Sequence, residues 1–320
     1  MRQFTTAMIG LFMVLMLSCL PGLGQNIQNK CQYRNAWLTV ISHANRLING
    51  LNPDNFQIRV HGHFSRVLGA NQLPIRHILI ILDASGSMGS GNQRLSSRKA
   101  AEELLNILPA RQKTALFIFG VKTQNIATGF ESAQNIAHQL NTLKIQAGGR
   151  STVYASLIQA FKTYPRMKAG DLIFLFSNCK SRPYDFKLVR KLFLKKSIRL
   201  FCFVPFYGPL LQPPQSALPF QPQSAFPMNT IAVIARESGG QAISFSPQSS
   251  APIYHFDPLS PMSLRAIMVL ARYSYILRIK LNKPHPGALN WKIKIINTPL
   301  GAHAHYIRAQ HLSSCRDTGA

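Results

Sequence analysis

Acidic residues are scarce in this chain: 320 residues carry 10 Asp and Glu against 36 Lys and Arg, a formal net charge of +26. So few carboxylates leave no identifiable general base for metal-dependent hydrolysis, and no catalysis is expected. Cysteine is also sparse, five residues with no CxxC pair, which removes the usual zinc signature. No stretch beyond the amino terminus has 18 apolar residues, so the mature chain is expected to be soluble or peripheral. The positive charge lacks the aromatic-basic motif of a nucleic-acid reader, so no specific nucleic acid is expected as partner. It favours contact with anionic surfaces or polymers.

Apolar residues make up 46% of the chain, ample for a core, and the length allows one large or two modest domains. Residues 1–24 read as a secretory signal peptide, with Arg2 as a short basic region, an apolar stretch from Ala7 to Leu20, and Gly22 and Gly24 before Gln25. The expected location is therefore secreted or periplasmic. Leu17-Ser18-Cys19 offers lipoprotein anchoring at Cys19 as an alternative, which Met16 and the scant basic region fit poorly. After cleavage Cys31, Cys179, Cys202 and Cys315 remain, an even number for an oxidising compartment, and they allow three pairings.

The most informative stretch is Ile78 to Gly91, Ile-Leu-Ile-Ile-Leu-Asp-Ala-Ser-Gly-Ser-Met-Gly-Ser-Gly. An apolar run without alternation suits a strand covered on both faces, as in a parallel sheet flanked by helices. Its carboxyl end opens on the crevice where α/β sheets bind ligands, so Asp83, Ser85 and Ser87 stand where chemistry is expected. A carboxylate with alternating hydroxyls offers only oxygen, the donor set of a hard divalent cation. A dinucleotide fingerprint starting at Gly89 fails at Arg94, and a nucleophile elbow centred on Ser87 fails at Ser85.

With its Asp-x-Ser-x-Ser pattern directly after a buried strand, the sequence resembles the von Willebrand factor type A family, whose metal-ion-dependent adhesion site opens with this motif. Two further segments extend the resemblance. Gly148-Gly-Arg-Ser-Thr resembles the family's Gly-Gly-x-Thr loop, which places Ser151 as a coordinating hydroxyl, with Thr152 as substitute; read from the residues alone, Ser151 is a helix N-cap. Ser177-Asn178-Cys179 stands where the resemblance implies Thr-Asp-Gly, so Asn178 replaces a ligand carboxylate. The implied metal set is Asp83, Ser85, Ser87, Ser151 and Asn178, holding Mg2+ or Mn2+ weakly. Leu51 to Gly62, and a Tyr-rich strand set near the carboxyl end, are similar to segments of the VWFA-related domain family of secreted bacterial proteins.

The fold class expected is α/β: a Rossmann-like, doubly wound, mostly parallel sheet with flanking β-rich segments. Residues 25–75 form an amino-terminal β-rich segment, 76–250 the type A-like domain, and 251–320 a carboxyl-terminal segment of one helix and strands. Strands are expected at 38–41, 56–60, 114–119, 171–176, 199–206 and 242–245, and helices at 94–108, 132–143, 185–196, 230–238 and 262–272. Three more strands, at 273–281, 291–296 and 302–308, are expected to form a sheet together. The proline-dense stretch 207–228 reads as an extended insertion rooted on the face of Asp83, a candidate specificity loop. Cys31 and Cys315, flanking the recognisable domain, are expected to bridge. His61 and His63 have same-face strand spacing without a third ligand, and the helix at 185–196 presents a basic ridge of Lys187, Arg190, Lys191, Lys195 and Lys196.

Two functions compete. In the first, a secreted protein engages a protein ligand through its type A domain and a divalent ion. In the second, a cationic protein is held by charge to an anionic envelope polymer or lipid, and the metal site is vestigial. The sequence leaves the oligomeric state open.

Overall fold

The computed structural model describes residues 32–41, 48–88, 92–120, 125–145, 148, 152–179, 185–205, 230–245, 254–257, 260–261, 264–283, 291–296 and 305–307. The expected signal peptide and Cys19, the proline-dense segment 207–228, Ser151, and the Cys31 and Cys315 pair lie outside these residues.

Along the chain come β1 (Tyr33–Ile41), β2 (Phe56–Val60), β3 (His63–Gln72), β4 (His77–Asp83), α1 (Asn92–Ile107), β5 (Lys113–Phe119), β6 (Ile126–Ala127) and β7 (Glu131–Ser132). They are followed by α2 (Ala133–Thr142), α3 (Val153–Thr163), β8 (Leu172–Phe176), α4 (Phe186–Lys196), β9 (Arg199–Pro205), α5 (Thr230–Ser238) and β10 (Gln241–Phe245). The last elements are β11 (Tyr254–Asp257), β12 (Ser260–Pro261), α6 (Leu264–Arg272), β13 (Tyr275–Lys280), β14 (Trp291–Ile295) and β15 (His305–Ile307).

Among the described residues the larger sheet runs β12-β11-β10-β9-β8-β4-β5-β6, with β7 also on β5. Strands β10, β9, β8, β4 and β5 are parallel, and the short edge strands are antiparallel. The apolar run of β4 is explained by its two covers. Ile78, Ile80 and Leu82 pack with residues of α1, α2 and α6, while Leu79 and Ile81 pack with residues of α3, α4 and α5. Each such side chain removed from water stabilises the fold by about 1.5–3 kcal/mol. From β4 the chain proceeds to β5 on one side and later to β8 and β9 on the other, so the strand order reverses at β4. In open α/β sheets such a switch point is where the loops beyond the carboxyl ends diverge, and Asp83 is the last residue of β4.

A second, antiparallel sheet runs β14-β2-β3-β13-β1-β15 and interleaves strands from both ends of the described chain. The three carboxyl-terminal strands all lie in this sheet, though not side by side: β13 lies between β3 and β1, β14 pairs with β2, and β15 with β1. Leu277, Ile279, Ile293 and Ile295 share one core with Leu38, Val40, Phe56, Ile58 and Val60, which no single end could fill. Of the segment after 250, β11 and β12 extend the larger sheet, and α6 packs on its α1 side.

His61 and His63 do not share a strand face, a correction. Val60 pairs with His63, and the two-residue turn between them has φ of 48° at His61 and 83° at Gly62. Positive φ at both positions matches the right-handed twist of a hairpin.

The two sheets meet at Trp37. The Arg199 guanidinium lies 4.5 Å over its ring and donates to Ala271 O at 2.6 Å. Gly239, at φ 98°, backs onto the same indole, where a Cβ would come within 2.6 Å. Burial draws Arg199 down to about 9, with the charge of Asp171 acting the other way. On α4 the expected basic ridge is narrower than its sequence, because Arg190 pairs with Glu237 and Lys196 Nζ donates to Pro165 O at 3.1 Å. Among the described residues no helix is long and apolar enough to cross a membrane.

Candidate metal centre

Asp83 ends β4, and its side chain folds the next turn. Its Oδ1 accepts from the amide of Ser85 at 2.9 Å, and its Oδ2 accepts from the hydroxyl of Ser177 at 2.6 Å. The Asp-to-amide bond two residues on is the local turn that Asp favours. It reverses the chain so that Ser85 Oγ and Ser87 Oγ lie 2.9 Å apart. Asp83 and Ser85 are buried, whereas Ser87 is exposed, so the oxygens form a file from the strand end to the surface. Met88, fully buried, closes the turn from below, and its Sδ accepts from Asn178 N at 3.2 Å.

Burial pushes the Asp83 carboxyl above its ordinary range, and the bonds from Ser177 and Ser85 act against that shift. Another buried carboxylate, Asp171, shows what a structural one looks like. At the opposite end of β8 it accepts from Lys168 N at 2.7 Å and His77 N at 2.9 Å, meets the His77 ring at 3.1 Å, and feels the charge of Arg199. Asp83 forms no ion pair among the described residues.

The second loop reaches the turn through Gly148, whose N–H donates to Ala84 O at 3.1 Å. Ser151, outside the described residues, lies between this anchor and α3 in sequence. The N-cap expected of Ser151 belongs to Thr152, whose hydroxyl accepts from Ala155 N at 3.3 Å. That bond ties the Thr152 side chain to the helix end.

The third loop is Ser177-Asn178-Cys179. Asn178 Nδ2 donates to the carbonyl of Ser87, and the amide oxygen is the side-chain atom with the chemistry of a metal ligand. Cys179 holds φ 55°, a left-handed conformation costing a residue with a Cβ about 1–2 kcal/mol. Its N–H donates to Ser177 Oγ at 3.0 Å, so that hydroxyl accepts from Cys179 while donating to Asp83.

Thus Asp83, Ser85, Ser87 and Asn178 are brought together. Ser177 and Gly120 complete the setting and escaped the sequence reading. Gly120 follows β5 at φ 73°, and a Cβ there would come within 2.5 Å of Ser85 N. The signals were present but faint: Ser177 is a hydroxyl ending a buried run, and Gly120 a glycine ending another.

The donor set fits a hard cation. One carboxylate, serine hydroxyls and an amide oxygen suit Mg2+ or Mn2+ rather than a metal seeking thiolate or imidazole. Among the described residues no three His, Cys, Asp or Glu side chains gather around a common point, so a resident ion would depend on hydroxyl and amide oxygens beside Asp83. A single carboxylate would hold such an ion weakly.

No curated protein matches the chain. The chain is similar to the solved structure of proximal thread matrix protein 1 from the mussel byssus with a zinc-occupied MIDAS motif, at 11% identity over 74% of this chain and 50% of that one, TM-score 0.42. It is also similar to an aerotolerance-related membrane protein from Bacteroides fragilis, at 14% identity over 52% of this chain and 89% of that one, TM-score 0.37. A third similar structure is the manganese-loaded Plasmodium vivax TRAP protein, at 14% identity over 44% and 61%, TM-score 0.36. This chain spans only 38% of the mussel protein in its second crystal form. Residues 78–180, from the start of the β4 run to the end of the third loop, match the family model for the von Willebrand factor type A domain, and the chain therefore carries a domain of that family.

Proposed function

We propose that this is an exported binding protein whose type A domain engages a protein ligand through a weak divalent-cation site formed by Asp83, Ser85, Ser87, Ser151 and Asn178. The observation supporting this is the Asp83 carboxylate, buried at the switch point and met by an N–H and a hydroxyl but by no cationic side chain among the described residues. In a protein of net charge +26, cations to neutralise it are plentiful, yet Asp171 is the buried carboxylate that receives one. Keeping a buried carboxylate unneutralised costs stability, and a bound cation offsets that cost. An ion held by one carboxylate keeps excess positive charge, so an acidic side chain of the ligand would complete its shell. The role is binding, not catalysis.

A second reading rests on the charge itself: Lys187, Lys191 and Lys195 on α4, together with the net charge, would hold the protein to an anionic envelope surface. Chelator and salt separate the two. Full-length protein incubated with envelope fractions should lose a bound protein ligand when Mg2+ is chelated. Retention in chelator, with release at high ionic strength, would support the charge-driven reading instead.

A further inference from the structure

We infer that Cys179 and Cys202 form a disulfide that fixes the bent conformation of the third loop beneath the candidate metal centre. Cys202 is fully buried on β9, and Cys179, directly after Asn178, is 2% exposed. Their Sγ atoms stand 2.8 Å apart, closer than relaxed non-bonded sulfurs and approaching the bond length of about 2.05 Å. An independent observation is the backbone. Cys179 holds φ 55°, which glycine adopts freely and a residue with a Cβ does not. A cysteine there forfeits backbone ease, so what it contributes must come from its sulfur, and its sulfur meets Cys202.

The bond forms by thiol–disulfide exchange. A thiolate of one cysteine attacks an external disulfide, of the class carried by oxidases of exported proteins, and one external thiol leaves. The second cysteine then displaces the other, so the pair loses two protons and two electrons and the external disulfide becomes two thiols. Both cysteines are buried in the cluster to which α4 contributes Val189 and Phe193 and α5 contributes Ile231 and Ile234, so exchange precedes the closure of those helices. The consequence reaches the site through Ser177, whose hydroxyl takes the Cys179 N–H and donates to Asp83. An effect on ion affinity rests on the function proposed above; the bond does not.

The test uses the full chain purified from an oxidising compartment, alkylated in denaturant without reductant and mapped by peptide mass. A linked Cys179–Cys202 peptide is expected. Both cysteines alkylated as thiols, or either joined to Cys31 or Cys315, would overturn the inference. Refolding the chain in reductant, or Cys202→Ser, should lower Tm by about 10 °C. Reduction should also speed amide exchange at Asn178 and Cys179; unchanged exchange in a protein that carries the bond would refute the fixing of the loop. Mn2+ titration of oxidised and reduced protein reads the site separately. A several-fold weaker affinity after reduction supports both proposals, whereas no binding in either state refutes the metal centre and leaves the bond to the peptide map.

Discussion

The hydroxyl of Ser177 donates to Oδ2 of Asp83 across 2.6 Å and so ties the carboxyl end of β8 to that of β4. A hydrogen bond to an ionised group contributes about 1.5–3 kcal/mol, and Ser177→Ala should cost that much at neutral pH. The loss should shrink in acid, where Asp83 is protonated in both variants. Urea unfolding at the two pH values checks it; an equal loss at both would mean that Ser177 acts by packing alone.

Replacing Asp83 by Asn tests whether the carboxylate is kept at a cost. Burial raises its folded-state value above that of the unfolded chain. Below the unfolded value both states hold the proton. Between the two values the unfolded chain ionises while the folded one does not, so stability falls as pH rises through that window and then levels off. Asp83→Asn lacks this fall, and in chelator it should be at least as stable as wild type at neutral pH. Thermal melts from about pH 3 to about pH 8 decide it, and a variant markedly less stable at neutral pH would show that the carboxylate stabilises the fold.

Gly120→Ala should disturb the site from a neighbouring strand. Its Cβ would enter the space of Ser85 N, and its backbone is already at φ 73°. A loss of about 2 kcal/mol or more is expected, with weakened ion binding. Gly129, with open space around it, is the control, and Gly129→Ala should change neither quantity.

How much of this was legible in the sequence depends on what each residue had to signal. Ile78 to Leu82 announced a strand covered on both faces because no residue in it alternates; the first and third loops were legible because polar residues follow buried runs, and the second through its resemblance to a Gly-Gly-x-Thr loop. β3 was not, since Val67 alone among its residues is buried and the strand is held by pairing with β2 and β13 rather than by an apolar pattern. The start of β1 at Tyr33 was missed for the same reason: Tyr33, Arg34 and Asn35 are polar or amphipathic, and they are strand because Lys280, Ile279 and Arg278 lie opposite. The interleaving of both chain ends in one sheet is long-range pairing that periodicity does not encode. Ser177 and Gly120 matter through what they touch across strands, which one-dimensional spacing cannot show.

Asn178→Asp should tighten ion binding while weakening the ion-free domain. The amide nitrogen that donates to Ser87 O would become an oxygen facing a carbonyl, a repulsion that a divalent ion relieves. A net gain of about 1.4 kcal/mol would be tenfold in affinity. Melting with and without Mn2+ should therefore show a larger ion-induced rise in Tm than wild type, and no difference would place Asn178 outside the site.

The most direct measurement is titration calorimetry of Mn2+ into wild-type protein and Asp83→Ala. The proposed site predicts saturable, weak binding at one site per chain in wild type and none in the variant. Matching heats from the two proteins, whether substantial or negligible, would contradict a metal centre at Asp83.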